Sequence, residues 1–128
     1  MGNSQHSDMD SLSRKILNAD PGILSLTVND DKGEILGHSF SPEYEKKYSE
    51  LAKEVRTKAG LFSALIYGIT TEPERVFGEI EAIVRIYAEA KLILIPFASN
   101  KLMVTLLTKK EAETNEILAK TRPLLETA

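Results

Sequence analysis

Lys91-Leu-Ile-Leu-Ile-Pro-Phe-Ala-Ser-Asn-Lys-Leu-Met-Val-Thr-Leu-Leu-Thr108 reads as two strands joined by a tight turn. Leu92 to Phe97 is apolar at every position, the pattern of a strand covered on both faces. Ser99-Asn100 supplies the turn, because Asn tolerates a left-handed backbone. Leu102 to Leu107 is again nearly all apolar. Two adjacent strands of this kind belong in the middle of a sheet. The rest of the chain must then supply edge strands, covering helices and tails. Pro96 is awkward in a central strand, so a bulge, or a strand that ends at Ile95, is expected there.

On the N-terminal side, Ala82 to Ala88 reads as a third strand. Ile83, Arg85 and Tyr87 share one face; Val84 and Ile86 share the other. Ile23 to Asn29 alternates cleanly. Leu24, Leu26 and Val28 point one way and Ser25, Thr27 and Asn29 the other, which predicts a strand with one buried face. Asp30-Asp31-Lys32-Gly33 supplies a hairpin turn in which Gly33 can take positive φ. Glu34 to Phe40 is the return strand, and Gly37 inside it suggests a bulge or a weakly ordered edge. The spacing of Met9, Leu12 and Ile16 predicts a first helix from Asp8 to about Asn18, capped by Ser7 and stopped by Asp20-Pro21-Gly22. Residues 1–7 are expected to be a disordered tail, leaving 8–126 as one domain.

Ser41-Pro42-Glu43 is a helix start: a capping Ser, Pro at the first helical position and an acid at the positive end of the dipole. The apolar stripe Tyr44, Tyr48, Leu51, Val55, Ala59, Phe62, Ile66 and Ile69 fits one helix over residues 42–70. Gly60 marks a kink or a break within it. From Gly60 to Ile69 the helix is apolar nearly all round, and so is buried on more than one side. The second side is either another subunit or the domain's own core; the sequence leaves both open. Pro73 breaks the pattern after Thr71. At the C-terminus, Thr108-Lys109-Lys110-Glu111 has the residue types of a capping box. Ile117, Leu118, Thr121, Leu124 and Leu125 give the last helix its inner face, and Pro123 makes its final turn doubtful.

The totals exclude several function classes. The net charge of -3 argues against a general nucleic-acid binder, which needs a basic surface. With no cysteine there is no disulfide, zinc–thiolate site or thiol nucleophile. No apolar run reaches the ~18 residues of a membrane span. A catalytic serine needs a base. The two histidines, His6 in the tail and His38 on an edge strand, have no identifiable carboxylate to orient them. Asp30-Asp31 reads as turn chemistry rather than a cation site, since no third acid stands at ligand spacing. There is no glycine-rich phosphate loop. The mixed charges from Glu43 to Lys58 read as a solvated helix face.

The order helix, two strands, helix, three strands, helix resembles the Roadblock family of dynein-light-chain-like domains over about residues 8 to 126. The motifs that carry the resemblance are Ile23–Val28 with its Asp30-Asp31-Lys32-Gly33 turn, and Leu92–Pro96 followed by Leu102-Met103-Val104. The region is also similar to short archaeal proteins. The resemblance implies an α+β, Roadblock/longin-like fold: a central five-stranded antiparallel sheet in the order 2-1-5-4-3, a long helix on one face and the terminal helices on the other. Domains of this family commonly dimerise through the third strand and the long helix, and many are scaffolds or regulators for small GTPases or motors. Mapped here, the dimer interface is Phe62, Leu65, Ile66, Ile69, Ile83, Arg85 and Tyr87. The function so implied is a non-enzymatic, cytoplasmic homodimeric scaffold or regulatory module. Its partners are itself and a small GTPase or other protein, without cofactor, metal, nucleic acid or membrane. The alternative is a small-molecule sensor of PAS or profilin-like type, with Tyr67, Tyr87 and Arg85 lining a pocket between the sheet and the long helix.

Overall fold

The computed structural model describes residues 2–44, 77–78, 80–97 and 101–126. Five strands form one antiparallel sheet: β1 (Ile23–Asp30), β2 (Ile35–Phe40), β3 (Ile83–Ile86), β4 (Ala90–Phe97) and β5 (Leu102–Lys109). Their order is β2-β1-β5-β4-β3, as expected. The doubly apolar strands β4 and β5 are central, and β2 and β3 are the edges. Helices α1 (Gly2–Leu17) and α2 (Thr114–Glu126) flank the sheet. Of the long helix expected over residues 42–70, only 42–44 is described, and it is helical. Tyr44 N–H donates to Ser41 Oγ at 3.2 Å, the capping bond expected of that serine.

The main core lies between one sheet face and the two terminal helices. Leu26, Val28, Ile93, Ile95, Val104 and Leu106 from the strands pack with Leu12 and Ile16 of α1 and Ile117 and Leu125 of α2. On the opposite face, Leu24, Phe40, Tyr44 and Leu107 form a smaller cluster. The polar face of β1 is also buried: Thr27 and Asn29 are shielded, with Thr27 directly opposite Thr105 of β5. The expectation of one buried face fails, and Leu24 leaves the face of Leu26 and Val28 because the β1–β5 register shifts between Ile23 and Ser25.

The β1–β2 turn is built on Asp30. Its Oδ1 accepts the N–H groups of Lys32 and Glu34, both at 2.9 Å, while Gly33 takes φ 90. Asp30 thus serves the turn, as its place in Asp30-Asp31-Lys32-Gly33 leads one to expect. The β1–β2 register shifts between Val28 and Asn29, where Leu36 is the extra residue beside Gly37. Gly37 is needed for a further reason. A Cβ there would lie 2.8 Å from the Met9 carbonyl oxygen, so glycine lets the α1 backbone press onto β2. Alongside, Ser13 Oγ donates to Asp10 O at 2.8 Å and stands 2.8 Å from Ser39 Oγ. With the Ser13 proton so used, the Ser39 hydroxyl is the donor between them.

Four boundaries differ from expectation. Helix α1 begins at Gly2 and takes in residues assigned to a tail; Ser7 lies inside it and is not its cap. Gly2 to Ser7 has no Pro or β-branched residue to stop a helix nucleated by the packed turns at Leu12 and Ile16. Strand β3 is shorter than Ala82–Ala88, because Ala88-Glu89 is consumed by the turn into β4. Helix α2 starts at Thr114, not near Thr108. Lys109 N–H is held by Gly22 O at 2.8 Å, which extends β5, and Ile117 N–H bonds Glu113 O at 3.1 Å to open the helix. The helix then passes through Pro123 to Glu126. Buried Leu125 anchors the last turn, and the missing N–H leaves only the carbonyl of exposed Ala119 to solvent.

Pro96 neither bulges nor ends β4; it pairs with Met103 and the strand runs to Phe97. The phase of the ladder explains this. Tyr87 N–H donates to Ala90 O at 2.8 Å. In an antiparallel ladder bonded pairs alternate, so Ala90, Leu92 and Leu94 turn their backbone groups to β3. Pro96 is in the same phase, but β3 stops at Ile83, opposite Leu94. The missing N–H faces a place where no β3 residue pairs.

Candidate interaction surface

Among the described residues, the exposed large apolar side chains are Phe77 (85% exposed), Val84 (40%), Ile86 (70%) and Tyr87 (44%). Three of the four lie on or beside β3. This strand pairs with β4 along one side, Ile83 to Leu94 through Ile86 to Lys91, and is the last in its sheet. An edge strand carrying exposed β-branched residues is a template for another strand. The strand is held in place from both ends. Tyr87 closes the turn to Ala90, and Arg122 Nη1 of α2 donates to Glu81 O at 2.9 Å just ahead of the strand.

Ile83, Arg85 and Tyr87, the interface residues expected on this strand, do share a face. The Arg85 guanidinium sits 5.4 Å from the centre of the Tyr87 ring, a cation–π contact at an exposed site. Both residues are exposed and do not line an enclosed site. The other expected interface residues, Phe62, Leu65, Ile66 and Ile69, lie outside the described residues, as does Tyr67. The more exposed apolar pair is Val84 and Ile86, on the face that bears α1 and α2. Their alternation was readable in Ile83-Val-Arg-Ile-Tyr87; that the terminal helices leave this edge bare was not.

The other candidate groups are accounted for locally. His38 stacks on Phe40 with ring centres 6.2 Å apart. No three His, Cys, Asp or Glu side chains gather to hold a metal ion among the described residues. Asp20 Oδ2 pairs with Lys120 Nζ at 2.9 Å, and its Oδ1 accepts Gly22 N–H at 2.7 Å. These bonds, the lysine first, hold the carboxyl below its ordinary value. They join the α1–β1 turn to α2. Lys91 Nζ, reaching from β4, donates to Ala112 O and, at 3.0 Å, to Thr114 Oγ1, which fixes the start of α2. None of the described helices is long and apolar enough to cross a membrane.

No family model and no curated protein matches the chain by sequence. Solved structures match it by shape over nearly its whole length. An MglB in a tetrameric arrangement superposes with a TM-score of 0.77 at 14% identity, covering 97% of this chain and 87% of that one. MglB from Myxococcus xanthus gives 0.73 at 8% identity, covering 95% and 85%. A Roadblock/LC7 domain from Streptomyces avermitilis gives 0.70 at 13% identity, covering 92% of each chain. The sheet order, the terminal helices and these superpositions agree: the chain folds as a Roadblock/LC7 domain.

Proposed function

We propose that this chain is a non-enzymatic homodimeric interaction module. It joins a second copy along β3 and the Gly60–Ile69 segment, and offers the assembled pair to a small GTPase. The observation that carries the dimer is the open β3 edge with Val84, Ile86 and Tyr87 exposed on it. Apolar β-branched residues on an unpaired edge are a liability in a monomer. Pairing removes both the free backbone groups and the exposed methyls. The GTPase partner follows from the family resemblance.

The test is solution mass by light scattering across a micromolar dilution series, for wild type and Ile86→Lys. Ile86 is 70% exposed, so a lysine there leaves the monomer's core intact. A wild-type dimer, with Ile86→Lys a monomer of unchanged circular dichroism, is the expected result. A wild type that stays monomeric throughout overturns the proposal.

A further inference from the structure

We infer, resting on the dimer reading above, that the second copy pairs with β3 in one particular register. Val84 lies opposite the partner's Ile86, Ile86 opposite the partner's Val84, and the two-fold axis passes through Arg85. The inference starts from the bond of Tyr87 N–H to Ala90 O, which makes Tyr87/Ala90 a hydrogen-bonded pair around the Ala88-Glu89 turn. Bonded and non-bonded pairs alternate in an antiparallel ladder. With Ile86 opposite Lys91 and Arg85 opposite Leu92, the bonded pairs are Arg85/Leu92 and Ile83/Leu94. The N–H and C=O of Ile83 and Arg85 therefore point into the sheet. Those of Val84 and Ile86 point out of it, four groups in a row along the open edge.

A second copy arriving antiparallel must set outward residues against outward residues. Three registers do this near the strand. Val84 opposite itself draws Ala82 into the joint against the partner's Ile86, but Ala82 precedes the strand and packs against its own core. Ile86 opposite itself sets Val84 against the partner's Ala88, which lies in the turn. Val84 opposite the partner's Ile86 uses β3 residues alone. It satisfies all four outward groups of each copy in four interchain hydrogen bonds. It also places each exposed β-branched side chain against the other kind, a favourable cross-strand pair. The opposing term is Arg85, which meets its own copy as a like-charged pair. The guanidinium is drawn along the strand over Tyr87, away from the axis.

The register is read directly by cross-linking, because the chain has no native cysteine. Val84→Cys, Arg85→Cys and Ile86→Cys are each oxidised mildly and resolved without reductant. A non-hydrogen-bonded antiparallel pair sets its Cα atoms about 4.5 Å apart, within the roughly 4.4–6.8 Å a disulfide spans. Arg85→Cys is expected to convert to a linked dimer. Val84→Cys and Ile86→Cys alone, each displaced diagonally to about 7–8 Å, should stay largely unlinked and link to one another when mixed. If Arg85→Cys fails to fold, the mixed pair carries the same test. Linkage of Val84→Cys or Ile86→Cys to itself in a dimeric protein overturns the register and leaves the dimer standing. A dimer in which none of these links forms overturns β3 as the joint. A monomeric wild type overturns both readings.

Discussion

Replacing Gly37 by alanine tests how closely α1 lies on β2. The added Cβ would sit 2.8 Å from Met9 O, 2.9 Å from Met9 C and 3.1 Å from Met9 Cβ. Two of the three atoms are backbone, so no rotamer change at Met9 relieves the clash. Helix α1 must move off the sheet, or β2 must bend away from it. Overpacking of this kind costs typically about 1–3 kcal/mol. Alanine recovers some of this, since glycine in a strand is about 0.5–1 kcal/mol worse through backbone entropy. The net expectation is a loss of about 1–2 kcal/mol. Urea denaturation measures it as a lower midpoint at unchanged slope. Hydrogen exchange locates it: amides of Leu12 to Leu17 should lose protection relative to those of β4 and β5. Met9→Ala should not rescue the variant, because the offending atoms remain. A Gly37→Ala protein as stable as wild type, with α1 protection unchanged, would refute the close approach.

Asp30→Ala removes the acceptor of two turn N–H groups; by analogy with helix caps the loss is about 1 kcal/mol, read from the same urea curves, and Asp30→Asn should recover part of it. The Asp20–Lys120 pair predicts an acid-limb effect. The Asp20 carboxyl is lowered from an ordinary value of 3.8 by its bond to Lys120 and then by Gly22 N–H. Its contribution is therefore complete above the unfolded value and is lost as pH falls through the lowered folded one. Wild type should lose more stability than Asp20→Asn between pH 5 and the acid limb; parallel pH profiles for the two proteins would contradict the pairing.

The sheet was legible because its signals are local and redundant. Alternation in Ile23–Asn29, unbroken apolar runs at Leu92–Phe97 and Leu102–Leu107, and Asp-Gly turn chemistry each fix one strand. The packed helix faces were equally plain in Leu12, Ile16, Ile117 and Leu125. The misreadings at Pro96 and Thr108, and the close helix approach that goes unforeseen at Gly37, share one cause. Each depended on a neighbour distant in sequence: the end of β3, the carbonyl of Gly22 and the backbone of Met9. Arg85, expected at an interface, lies on the exposed edge strand β3, and Tyr87, expected there too, is the residue that follows it. The bareness of Val84 and Ile86 depends on how far α1 and α2 extend across the sheet, which no stretch of the sequence states by itself.

The pairing of β1 with β5 has a consequence for how the chain comes to be folded. These two strands meet at the centre of the sheet, yet Asp30 lies opposite Leu102 across most of the sequence. During synthesis at about 5–20 residues per second, β1 waits several seconds for its central neighbour. The N-terminal portion is equipped for the wait. Helix α1, β1 and β2 are consecutive, and Leu12 and Ile16 already face Leu26, Val28 and Leu36. Strands β4 and β5 with α2 form a second consecutive group that emerges last. Joining the two groups through β1 and β5 requires the longest loop closure in the sheet, the kind of contact that slows folding. Until then, the side of β1 that will receive β5 is an edge as open as that of β3. The nascent chain and the finished protein therefore present different strands to their surroundings.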